Sequence, residues 1–216
     1  MMCIVSEQPI ETTPPANAAE SMPAPSAASV GKLSMRERIL QAAAELFYAQ
    51  GIRAVSAEKI IARVGITKVT FYRYFPTKDE LVVAYLERRA AWERDAVEAV
   101  RRAAGGRGSE AFRLLSDGIG AVSCAPGFRG CPFINAAAEY ADAEHPVRGV
   151  VRAHREWFKA AFEEMLAETG VHDVSGAADQ LVMLRDGAMV AGYLGDPETI
   201  APSLYNAVRA VIDFYR

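Results

Sequence analysis

The chain of 216 residues has no apolar run long enough to cross a bilayer, which takes roughly 18 or more residues. Its beginning lacks a basic stretch followed by an apolar one, so no secretory leader is expected and the protein is read as soluble and cytoplasmic, with no membrane partner. Cysteines number only three, Cys3, Cys124 and Cys131, and in a reducing cytosol they are expected as free thiols. The three histidines, His145, His154 and His172, lack metal-ligand spacing, so no metal and no cofactor are proposed. Phosphate loop, nucleophile elbow and paired-carboxylate motif are all missing. That leaves enzyme chemistry only a thiol at Cys131, which would need His145 or His154 as its base. No alternating strand pattern competes with helical periodicity, and the fold class is all-α.

Charge is unevenly spread. The net formal charge is −3, which argues against nonspecific nucleic-acid binding. The first thirty residues hold Glu7, Glu11 and Glu20 and no cation. Residues 31 to 80 hold nine Lys or Arg against five Asp or Glu, and the remainder is again acidic. Basic charge is thus confined to one segment, as a nucleic-acid reader requires.

That segment contains SAEKIIARVGITKVTFYRYFPTKDEL, from Ser56 to Leu81. Ser56 is placed to cap a short helix in which Ile60, Ile61 and Val64 recur at helical spacing. Gly65 ends it, since glycine most cheaply takes the left-handed conformation of a sharp turn. Thr67 then caps a second short helix carrying Lys68, Val69, Thr70, Tyr72, Arg73 and Tyr74, closed by Pro76. Such a helix is short, basic and aromatic, and fits a major groove, with cations for phosphates and hydroxyls or methyls for base edges. Phe71 and Phe75 share the opposite face and are expected in the core.

From Met35 to Leu86 the chain resembles the TetR family of bacterial transcription regulators. The likeness rests on RERILQAAAELFYAQG, the capping Ser56, the GIT turn, TFYRYF and TKDEL. It implies DNA contact by Ser56, Thr67, Lys68, Val69, Thr70, Tyr72, Arg73 and Tyr74, with Lys78 as a phosphate-binding lysine. Two positions depart from the usual family form, Ile61 and Val69. Val69 can meet a thymine methyl, so its departure bears on operator sequence.

The expected organisation is an N-terminal arm over 1–31, rich in Pro and disordered by composition, a helix-turn-helix domain over 32–78, and a helical effector-binding and dimerisation domain over 79–216, about nine helices in all. One long helix runs from Thr77 to about Ala104 and is stopped by Gly105 and Gly106. Others span Ser109 to about Cys124, Pro132 to about Asp142, Pro146 to about Thr169, Ser175 to Leu194 and Pro197 to about Phe214. Inward faces of the middle helices supply a candidate effector pocket: Phe112, Leu115, Ile119, Cys131, Phe133, Asn135, Tyr140, Trp157 and Phe158. Each of these aromatics reads more readily as plain core than as pocket wall. Cys131, just before Pro132 and near Arg129, sits where a thiol is activated, or else fills a small space and is inert. Leu181, Leu184, Ala188 and Met189, among small residues that let helices approach, are the candidate dimer surface.

The family resemblance implies a homodimer on a palindromic double-stranded operator, acting as a repressor released by a small-molecule effector. An activator responding to ligand or to thiol oxidation is the alternative.

Overall fold

The computed structural model describes residues 33–216; the expected arm over 1–31, with Cys3, lies outside them. Among the described residues the chain forms nine α-helices and one short 3-10 turn, with no strand. They are α1 (Met35–Gln50), α2 (Ala57–Val64), α3 (Lys68–Tyr74), α4 (Lys78–Ala104), α5 (Gly108–Ser123), α6 (Pro132–Glu139), α7 (Pro146–Ala167), α8 (Val174–Leu194) and α9 (Ile200–Phe214), with the 3-10 turn at Pro197–Thr199.

Two compact units emerge. One holds residues 33–95 together with Cys131–Trp157, and is called the head; the other holds Ala96–Gly130 together with Phe158–Arg216, and is called the body. This partition differs from a division at residue 78. The segment around α6 belongs, by compactness, with the reading end of the chain.

In the head, α1 opens with a reciprocal cap in which the Ser34 hydroxyl accepts from Glu37 N and the Glu37 carboxylate accepts from Ser34 N. Ile39, Leu40, Ala43 and Phe47 face inward from α1, Ile60 from α2, Phe71 and Phe75 from α3 and its end, and Leu81, Val82, Tyr85 and Leu86 from α4. Phe47 and Tyr85 bring α1 and α4 together, with ring centroids 5.8 Å apart.

In the body, α5 runs against α9 and α8, and glycine lets it do so. A methyl at Gly120 would stand 2.7 Å from Ala201 Cβ, closer than carbon atoms approach. Phe112 and Phe158 each meet Phe162 edge-on, at 5.4 and 4.9 Å. Met165, Leu166, Leu181, Leu204, Val208 and Ile212 complete this core.

Two helix boundaries differ from the sequence expectation. The segment from Pro197 is not one helix: three residues form a 3-10 turn capped by Asp196, and α9 begins at Ile200. Pro202 explains the break. It has no N–H and its ring meets the carbonyl four residues back, so it fits the first turn of a helix starting at Ile200 but not one already begun at Pro197. Helix α6 stops at Glu139, short of Asp142, because Tyr140 takes an extended conformation.

Candidate nucleic-acid interface

The turn between α2 and α3 is built as the residues dictate. The Ser56 hydroxyl accepts from Lys59 N at 3.3 Å and so caps α2. Gly65 ends α2 at φ 75°, ψ 41°, in the left-handed region, with its N–H donating to Ile61 O. The Thr67 hydroxyl accepts from Thr70 N at 3.2 Å and caps α3. Arg38 of α1 donates to Val64 O at 3.2 Å, tying the end of α2 back to the first helix.

With its caps fixed, α3 shows two faces. Phe71 is fully buried and Phe75 nearly so. At 100° per residue, Val69 and Arg73 lie opposite Phe71, Tyr72 lies to one side, and Lys68 opens the helix one turn before Phe71; all four are exposed, Val69 at 81%. Thr70 and Tyr74 flank them, half-buried. The Lys68 ammonium lies 5.9 Å over the Tyr72 ring and 3.6 Å from Glu58, both exposed arrangements that water weakens. Arg73 lies over Tyr74 at 5.1 Å. Arg36, which spacing did not single out, adds a guanidinium 4.9 Å over the Phe75 ring.

Lys78 is engaged within the chain. Its ammonium donates to Ile52 O at 2.6 Å and sits 5.9 Å from the Phe47 ring centroid, and burial pushes its pKa down. Its partner is a carbonyl of its own chain, in the loop between α1 and α2.

Residues expected around an effector pocket fall in both units. In the body, Phe112 and Phe158 are buried core aromatics, while Leu115 and Ile119 are half-buried. In the head, Phe133 is buried and stacks on His154 with centroids 3.6 Å apart and planes 9° from parallel. Trp157 tilts against the same imidazole at 5.6 Å. Asn135 is exposed. Tyr140 is turned to the reading end of the chain, its hydroxyl donating to Asp79 Oδ1 at 2.8 Å. Cys131 is buried, not bridged to Cys124, and Arg129 beside it in sequence packs its guanidinium 5.8 Å over Tyr193.

Sequence reasoning missed the ionisable cluster beneath the Phe133 ring. His154 Nε2 lies 2.9 Å from Glu93 Oε2, and Arg89 Nε donates to Glu93 Oε1 at 3.0 Å. Glu93 and His154 are only 7% and 5% exposed. The two positions are separated by 61 residues, so no local spacing signalled the pair. A second unforeseen feature is a cleft of about 520 Å³ beside α1 and α4, lined by Leu33, Arg36, Glu37, Leu40, Gln41, Ala84, Glu87 and Arg88. None of the expected pocket residues lines it.

The dimer candidates divide as well. Leu181, Ala188 and Met189 are buried in the body core and Leu184 is half-buried. Exposed apolar residues lie on another face of α8, at Met183, Val190, Tyr193 and Leu194; Phe214 at the end of α9 is exposed as well. Among the described residues no group of His, Cys, Asp and Glu could hold a metal, and no helix is long and apolar enough to cross a membrane.

An all-helical chain whose capped α2–turn–α3 presents a basic, aromatic, solvent-facing helix is a helix-turn-helix protein. Residues 39–85 match the family model for bacterial regulatory proteins of the tetR family. The HTH-type transcriptional regulator LmrA of Bacillus subtilis (strain 168) is 32% identical over 141 residues, covering 62% of this chain and 72% of that protein. Among solved structures, SCO4454, a TetR-family transcriptional regulator from Streptomyces coelicolor, is similar at 41% identity and a TM-score of 0.79, over 83% of this chain and 95% of that one. A TetR-type regulator from Streptomyces avermitilis is similar at 29% identity and a TM-score of 0.70, over 83% and 98%. The chain belongs to the TetR family of transcriptional regulators.

Proposed function

We propose that the protein is a homodimeric repressor that binds a palindromic operator through α3 and is released from it by a small-molecule effector. The observation that carries the reading is the outward face of α3. Lys68 and Arg73 supply cations, Tyr72 a hydroxyl and Val69 an exposed branched alkyl group, on a helix whose other face is locked by Phe71 and Phe75. Cations position a protein on phosphates; the hydroxyl and methyls read base edges.

Dimerisation is supported by the exposed stripe Met183, Val190 and Leu194 on α8. Large apolar side chains left in water along one face of a helix mark an association surface. A homodimer on a palindrome has two copies of α3 to set into half-sites about 34 to 36 Å apart. An effector must bind the form with low DNA affinity more tightly than the form with high affinity, or no release follows. The aromatic residues Phe133 and Trp157, with the Glu93–His154 pair they pack against, are the proposed place for such differential binding.

A gel shift with duplexes selected from a random pool, at rising salt and with nonspecific competitor, tests this. Competitor-resistant binding that weakens steeply with salt is expected for the protein, and its loss in Lys68→Ala or Tyr72→Ala with the dimer still folded. Binding wholly displaced by competitor, or full affinity in both variants, overturns the reading.

A further inference from the structure

The loop between α1 and α2 is held by a residue from far along the chain. Glu139, the last residue of α6, accepts from Ile52 N at 2.8 Å through Oε1 and from Arg53 N at 2.6 Å through Oε2. Gly51 prepares this geometry: at φ 90° it turns the chain so that two successive amides face one carboxylate. On the other side of the same loop the Ile52 carbonyl accepts from Lys78 Nζ.

A second grip follows one residue later. Tyr140 donates its hydroxyl to Asp79 Oδ1 at 2.8 Å, and His145 Nε2 faces Asp79 Oδ2 at 3.3 Å. The His145 tautomer is set by Val147, whose N–H donates to Nδ1 at 3.2 Å and so leaves the hydrogen of the neutral ring on Nε2, toward the carboxylate. Arg148, in the first turn of α7, donates to Tyr140 O at 3.0 Å. The two grips bracket the DNA-reading pair in sequence, one just before α2 and one just after α3.

We propose that Glu139 is a positioning residue for DNA reading: it does not touch DNA, but its clamp on the Ile52 and Arg53 amides sets the angle at which α2 and α3 stand on the segment 131–157. This rests on the reading of the protein as a dimer on a palindromic site. A carboxylate bonded to two successive amides is directional, so the loop cannot swing without losing both charge-assisted bonds. The fold itself needs the clamp less than the angle does. The Arg53 bond is exposed, and water replaces Glu139 there when the carboxylate is gone. Movement of α6 therefore reaches the recognition helix through backbone, without repacking the Phe71 core.

The full-length protein, Glu139→Ala and Glu139→Gln are compared on a palindrome selected by the wild type, and on versions with one or two base pairs inserted between half-sites. Wild type is expected to lose about tenfold or more in affinity on insertion, because two fixed heads cannot follow the half-sites around the helix. Both variants are expected to show a several-fold smaller loss, while single base changes inside a half-site cost them as much as they cost wild type. A merely structural role predicts equal weakening at every spacing, and spacing discrimination as sharp as wild type in both variants overturns the proposal. Amide exchange in the wild type provides a check that survives a variant that does not fold. Ile52 and Arg53 are expected to be protected, and exchange at the rate of open loop amides sinks the clamp. If the wild type selects no sequence at all, the operator reading falls, and the positioning role with it, whereas protected Ile52 and Arg53 amides would still show the clamp formed.

Discussion

On α3 the side chains proposed for recognition touch little of the protein, whereas at the end of α6 the polar atoms are bonded to residues far away in sequence. Val69 stands almost wholly in water, and Glu139 bonds the amide of a residue 87 positions earlier. A face built for an external partner is written locally, in one helix with its caps and periodicity. An internal grip is written half in one segment and half in another, and neither half carries a signature alone.

The largest expected effect separates the two faces of α3. Phe71→Ala removes a fully buried ring, and urea unfolding should show a loss of about 3–5 kcal/mol. Val69→Ala, on the exposed side, should move stability by less than about 0.5 kcal/mol, yet weaken the preference for thymine at one position of each half-site. Comparable destabilisation by the two substitutions would dismantle the assignment of faces.

Next in size is the pair no spacing announced. Glu93→Ala takes a buried carboxylate away from Arg89 and from His154, so it should cost about 3 kcal/mol, read as a lower urea midpoint with an unchanged slope. A cost near zero would mean that water reaches His154 and that the cluster beneath Phe133 is not the closed arrangement described.

How much of this was legible depends on the range of the interactions. Ser56, Gly65 and Thr67 act within a few residues of themselves, and the structure has all three in the expected capping and turning roles. Phe71 and Phe75 were readable as core for the same reason. On α8 the method fails, because small and apolar residues run around most of the helix. Periodicity there cannot say whether Leu181 or Met183 faces the core; the structure buries the first and exposes the second. Tyr140 was placed with pocket residues because aromatic character alone suggested an interior, and only the folded chain shows Asp79 as its partner. Likewise the 3-10 turn at Pro197 follows from Pro202, a constraint that the N-terminal proline signal at Pro197 masked.

One substitution type should give opposite signs in two places. Gly65 has a left-handed backbone and open space around it, so Gly65→Ala costs backbone strain alone, about 1 kcal/mol. Gly118 lies within α5 with equally open surroundings, and Gly118→Ala should gain about 0.5–1 kcal/mol by helix propensity. Thermal melts of the two variants check this directly, and a shift of the same sign in both would contradict the conformations described.

The smallest effect tests Lys78, to which resemblance gives a phosphate and the structure gives the Ile52 carbonyl. As a phosphate contact, Lys78 should contribute to counterion release, and Lys78→Gln should reduce the slope of log affinity against log salt by about 1. As a tie to the Ile52 carbonyl, it should leave that slope unchanged and cost about 1 kcal/mol of stability, the worth of one hydrogen bond. Its titration separates the cases further. Burial lowers the folded-state pKa below the ordinary 10.5, so the unfolded chain holds the proton more tightly. Stability should then rise with pH across the interval between the two values, and that rise should vanish in Lys78→Gln. An unchanged salt slope with the rise abolished assigns Lys78 to the loop. A reduced slope means instead that the ammonium, which has three hydrogens and gives one to Ile52, also reaches a phosphate.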